Sequence, residues 1–220
     1  MRQPSSLRRA RGATLIFALL TLVVLGLATL ALVRSVDTSA LMLGNATFKQ
    51  DATVSSDQAV RAAFVWLKNQ TATTLGADVT GQGYYASTRD LDPTKPVDTT
   101  GQQYPSNALR QLIDWDGDTC GYVSTNKSTC ALVSKDAGST PNSNSKLRYV
   151  IFRLCGLTDA AAAASGIANN CATPSGTAGG GHEAGERGPK LIAGGAYYRV
   201  VVRVRGSRNS VSFIETIVQL

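Results

Sequence analysis

Residues 12–33 read GATLIFALLTLVVLGLATLALV, and the 21 residues 13–33 carry no charge. At 1.5 Å per residue, a helix of that length spans roughly 32 Å, about one bilayer hydrocarbon core. Arg8, Arg9 and Arg11 stand just before it, and Arg34 and Asp37 follow it. The first eleven residues contain four arginines and no acid. The positive-inside rule keeps that end in the cytoplasm and sends the C-terminus outward. An ordinary secretory signal has an apolar core of about 7–15 residues followed by a small-residue cleavage site. Here the apolar run is longer, and the small-residue mark, Arg11-Gly12-Ala13, precedes it. A plain single-span anchor fits the same composition.

The net charge of +7 comes largely from the leader. Without its four arginines, 18 basic residues face 15 acidic ones. A nucleic-acid binder needs a dense basic face on its folded part. The nearest approach is Arg199, Arg203, Arg205 and Arg208, which read as a solvated sheet face, so no nucleic-acid partner is expected. About 160 residues follow the first 60, enough for one domain with its own core. All four cysteines, Cys120, Cys130, Cys155 and Cys171, lie beyond the apolar run, which points to an oxidising compartment. Four cysteines allow three pairings; the local ones, Cys120 with Cys130 and Cys155 with Cys171, are simplest. The spacings and the lack of nearby histidines argue against zinc.

The run Arg11-Gly12-Ala13-Thr14-Leu15-Ile16, leading into the apolar segment, resembles the prepilin leader junction of type IV pilins and type II secretion pseudopilins. The resemblance implies that a prepilin peptidase cuts between Gly12 and Ala13 and methylates Ala13 as the new N-terminus. Most pilins carry glutamate as the fifth mature residue; this chain has Phe17. That glutamate, buried among apolar helices, needs the ammonium of the previously added subunit as its partner, because an unpaired charge there is costly. Phe17 makes no such pair, so the resemblance favours a position with nothing ahead of it, the filament tip. Beyond the span, Gly44-Asn45, Ala52 and Asp57-Gln58-Ala59-Val60-Arg61 are similar to the register of PilX-like minor pilins. What this implies is a minor pilin of the inner membrane with its head in the periplasm, later part of a surface pilus and supporting initiation, adhesion and twitching. Its implied partners are other minor pilins, the major pilin, the prepilin peptidase and a large tip adhesin. A GspK-type secretion pseudopilin also lacks the glutamate, but carries an insertion that 220 residues leave little room for. A membrane-anchored periplasmic domain binding calcium or sugar is the third reading.

The expected fold is α+β and pilin-like. A long N-terminal helix, transmembrane in its apolar first part, packs on a C-terminal antiparallel β-sheet head. Residues 1–12 are the leader, 13–33 the membrane or filament-core helix, 34–70 its continuation and 71–220 the head. Leu41, Phe48, Ala52, Val60, Phe64 and Leu67 recur at helical spacing and form the expected seam, with Gly44 a place to bend. Residues 71–104, rich in Thr, Gly, Asp and Pro, read as loops with one short strand, and residues 109–113 as one helical turn. Residues 146–155 read as a buried strand, and Thr158-Asp159 caps an alanine helix over 160–164. Tyr198, Val200, Val202 and Val204 alternate with Arg199, Val201, Arg203 and Arg205 ahead of a turn and a returning strand over 211–220, where the adjacent Phe213 and Ile214 suggest a bulge.

Asp114, Asp116 and Asp118 alternate along the chain and are the only metal-like cluster. Their glycine sits at the wrong offset for a calcium loop and no glutamate closes it, so an acidic turn is the plainer reading and no cofactor is expected. His182 is the only histidine. His182-Glu183 opens like a zinc-protease motif, but Glu186 stands where the second histidine belongs. Residues 174–189 lack the Gly-Lys-Ser/Thr ending of a phosphate loop. No paired acid and base, nucleophile–histidine or phosphate-loop constellation is present, so no enzyme is expected.

Overall fold

The computed structural model describes residues 13–105, 107–123, 130–141, 144–166, 168–172, 195–206 and 209–220. Its first element is helix α1, Ala13–Lys68. The segment has no proline, so its backbone ladder is unbroken, Gly44 included. Five of its hydroxyls bond within the helix: Thr21 and Thr29 donate to the carbonyls of Ala18 and Gly26, and Thr38, Ser39 and Thr47 to carbonyls four residues back. That bonding suits a polar side chain in apolar surroundings, where water is absent. Lys68 lies in the last turn, where a cation complements the helix dipole.

The chain divides into two units, residues 1–50 and 51–220. In the described part of the first, every residue whose burial is known is exposed apart from Gly44, which is partly covered. The second unit is a layered α+β head. Its main sheet has five strands. Strand β6 (Lys146–Arg153) is central and pairs antiparallel with β7 (Tyr197–Arg205), which pairs antiparallel with β8 (Val211–Gln219). On its other side β6 takes two short partners, β5 (Lys135–Ser139) antiparallel and β1 (Tyr84–Tyr85) parallel.

Strand alternation sends Leu147, Tyr149 and Ile151 of β6, Tyr198, Val200, Val202 and Val204 of β7, and Ile214 and Val218 of β8 to one face. There they meet α1 through Ala52, Ala59, Ala63 and Leu67, with Ser55 and Ser56 also buried. The seam is built mostly of small residues, which let helix and sheet approach closely. Of the expected stripe, Ala52 and Leu67 are buried and Val60 is partly so, whereas Phe64 is 37% exposed. Leu41 and Phe48 belong to the uncovered unit and are exposed.

The opposite face carries a second core: Val150 and Phe152 of β6, Val201 of β7, Tyr85 of β1, and Val97, Ile113, Trp115 and Leu132, with Phe213 packed against them. A three-stranded parallel sheet supplies the covering layer: β2 (Val97–Asp98), β3 (Gln111–Asp114) and β4 (Cys130–Val133). Two expectations are corrected here. Residues 111–114 form a strand rather than a helical turn, because Leu112 and Ile113 are both fully buried but in different clusters, the former with Cys120 and Val123. Residues 71–104 contain two short strands, β1 and β2, and a one-turn helix α2 (Ala72–Leu75) capped by the Thr71 hydroxyl.

Phe213 and Ile214 lie in an unbroken register with Arg203 and Val202, without a bulge. They are both apolar because each faces a different covered side of the sheet. Helix α3 (Asp159–Ser165) begins at Thr158, whose hydroxyl accepts from the Ala161 amide.

Candidate functional site

The apolar end of α1 is the first candidate surface. Phe17 is 69% exposed, and no acid stands in the first turn. The helix contains a window long and apolar enough to cross a membrane, and none of that window is buried within the chain. By length and composition it could anchor in a membrane. Ala13 opens the helix; Gly12, on the other side of the expected cut, lies outside the described residues.

The head is braced covalently. Cys120 is joined to Cys130 and Cys155 to Cys171, the local pairing. Cys120 sits in the small cluster of Leu112 and Val123, so the first bridge ties the turn after β3 to the start of β4. The second encloses α3.

The acidic cluster is dispersed by its partners. Asp114 accepts backbone N–H bonds from Gly117 at 2.8 Å, Asp118 at 3.1 Å and Thr119 at 3.2 Å. Asp118 accepts from the Gly121 amide. Asp116 reaches across to the main sheet, where its carboxylate takes Arg203 at 2.9 Å and Arg205 at 3.4 Å. The three carboxylates thus close a turn and pin it to β7. Among the described residues, no group of three or more His, Cys, Asp or Glu is placed to hold a metal. His182, Glu183, Glu186 and the glycine-rich run around them lie outside the described residues.

The expected solvated arginine face is corrected as well. Arg203 is only 7% exposed. Arg199 pairs with Asp90 at 3.0 Å and lies over the Phe152 ring, 4.9 Å from its centroid. Arg148 donates to the hydroxyl and the carbonyl of Ser134, both at 2.8 Å. Loops carrying Asp90, Asp116 and Ser134 supply the partners of these arginines beside the covering sheet. Arg208 lies outside the described residues.

Two further pairs organise the loops. Arg89 is paired with Asp78, whose other oxygen accepts from the Ala86 amide. Asp98 and Arg110 form a fully internal pair. The phenol of Tyr84 donates to the Leu75 carbonyl at 2.6 Å and that of Tyr122 to the Ile113 carbonyl at 2.8 Å. Burial is the main reason both ionise well above the usual tyrosine range, with Tyr198 adding to it for the first and Asp98 for the second. Both phenols are neutral at physiological pH and hydrogen-bonded to backbone carbonyls.

No family model, curated protein or solved structure matches this chain.

Proposed function

We propose that this chain is a minor pilin: a membrane-stored subunit whose apolar helix leaves lipid for the helices of other subunits while its head selects neighbours. The observation that carries this reading is an uncovered apolar helix of filament-core length, preceded by the Arg11-Gly12-Ala13 junction and continuous with the helix that seams a disulfide-braced head. Moving such a helix from lipid into a bundle changes one apolar environment for another, so packing and neighbour choice decide the outcome. The head contributes surfaces and not chemistry in this reading, so the subunit is not an enzyme. Phe17 favours the tip, since a subunit without the fifth-position carboxylate needs no ammonium ahead of it. Partners are other minor pilins, the major pilin, the prepilin peptidase and a large tip adhesin. The site of action is the inner membrane, then the pilus.

The test is mass spectrometry of the membrane-extracted protein from cells with and without the peptidase. A peptidase-dependent N-terminus at methylated Ala13 is expected. An N-terminus at Met1, or one beyond Val33, removes the pilin reading. Deleting the gene should strip surface pili and twitching; secretion loss with intact pili would assign it instead to a type II secretion system.

A further inference from the structure

We propose that the outer edge of β8 is a docking site at which an extended segment of another protein, with apolar residues flanking a central basic one, adds to the main sheet as its next strand. The Leu220 amide donates to the Ala196 carbonyl, and the Ser210 carbonyl accepts from the Gly206 amide. Because the β7–β8 register is continuous, even-numbered residues turn their backbone groups toward β7. Val211, Phe213, Glu215 and Ile217 therefore turn theirs outward, and no described strand pairs with them.

The two edges of the sheet are treated differently. On the far side β6 is covered by two short strands, one of them shifted in register and carrying Lys135. Those are the usual devices that blunt an edge. Strand β8 has none: nine residues, no proline, no lysine, no shift in register. A long apolar edge of that kind is a pairing template.

The side chains specify the occupant. The residues with outward backbone groups share one face, on which Phe213 packs tilted against Trp115, Val211 is 42% exposed and Ile217 59% exposed. Glu215, the only charge on the strand, stands exposed between them and forms no ion pair among the described residues. An incoming strand thus meets apolar, acidic and apolar positions in a row. Cross-strand pairing then favours a basic residue opposite Glu215 and branched apolar residues on either side. A second copy of this chain is the wrong occupant, because the antiparallel register that pairs all nine residues sets Glu215 against Glu215. The proposal deepens the pilin reading by naming the surface on which a neighbour docks, and it is tested without reference to pili.

The probe is a fluorescent peptide, GVTVTKTVTVG, titrated against the full chain in detergent micelles and followed by anisotropy, with light scattering to report chain association. Saturable binding is expected. Glu215→Lys should weaken it at least about tenfold, and a peptide with glutamate in place of its lysine should recover binding to that variant. Ile217→Pro removes only an outward N–H, so the β7 ladder survives and binding is lost. Retained tryptophan fluorescence and thermal unfolding show that this variant is folded. No binding at about 1 mM peptide, equal binding by the folded Ile217→Pro variant, or a chain whose edge is already closed by its own dimer would each overturn the proposal. Any of these alongside a confirmed Ala13 terminus leaves the pilin reading standing.

Discussion

Asp98 and Arg110 face each other inside the head, Oδ2 to Nε at 3.5 Å, with side chains 0% and 2% exposed. Asp98 ends β2, and Arg110 immediately precedes β3, so the pair closes the mouth of the crossover that two parallel strands require. The other Asp98 oxygen accepts the amides of Gly101 at 2.8 Å and Gln103 at 3.2 Å. Arg110 donates to the carbonyls of Tyr104 and Pro105. Two charges thereby shape a loop of irregular backbone over the second core.

Breaking this pair from one side leaves an uncompensated buried charge. Arg110→Met or Asp98→Asn should each lower stability by about 3–5 kcal/mol. The double variant should lose less than the sum, because no lone charge remains. Urea unfolding followed by tryptophan fluorescence measures this; additive losses would mean that the two side chains act independently.

Ala59 and Ala63 are fully buried where α1 meets the sheet. Ala59→Leu overfills that seam and should cost about 1–3 kcal/mol. Val54→Leu, on a side chain 71% exposed, should change stability by less than about 0.5 kcal/mol. Equal effects in thermal unfolding would place the contact elsewhere.

Tyr84, Tyr85, Tyr122, Tyr149 and Tyr198 all ionise above their usual 10.0, chiefly because burial disfavours the phenolate. Folding therefore favours their protonated form. Their contribution is fully present below pH 10 and is lost as pH rises from there through the folded values. The head should be equally stable by this term from neutral pH to about 10, then weaken steeply, with tyrosinate absorbance rising together with unfolding. Tyrosines that ionise near pH 10 in a still-folded head would contradict the burial described.

Phe17→Glu tests the tip position. Under the proposed tip position no subunit ahead supplies an ammonium, so the new carboxylate would stay unpaired among apolar helices, which is costly. Surface pili counted by electron microscopy should fall several-fold. Unchanged or increased piliation would place the subunit within the shaft.

Much of the architecture was legible because it rests on strong local patterns. The uncharged run from Ala13, the alternation of Tyr198, Val200, Val202 and Val204, and the Thr158 cap each declare their element within a few residues. The adjacency of Phe213 and Ile214 was misleading, since it signals a strand covered on both faces as readily as a bulge. The second sheet escaped notice because its strands have two to four residues, too few for a period to appear. The seam was misassigned toward Phe64 because alanine carries little hydrophobic signal, although Ala59 and Ala63 are what the sheet accepts.

The sequence by itself determined that an apolar helix leads a cysteine-bearing head, and that this head ends in a hairpin, because charge, hydropathy and alternation act over neighbouring residues. Only the tertiary structure decided where the carboxylates go. Asp116 meets Arg203 across 87 residues, Asp90 meets Arg199 across 109, and Asp98 meets Arg110 inside a core that no local pattern announces. Such pairs form where layers of the fold bring distant charges together, so their partners are set by packing and not by spacing along the chain.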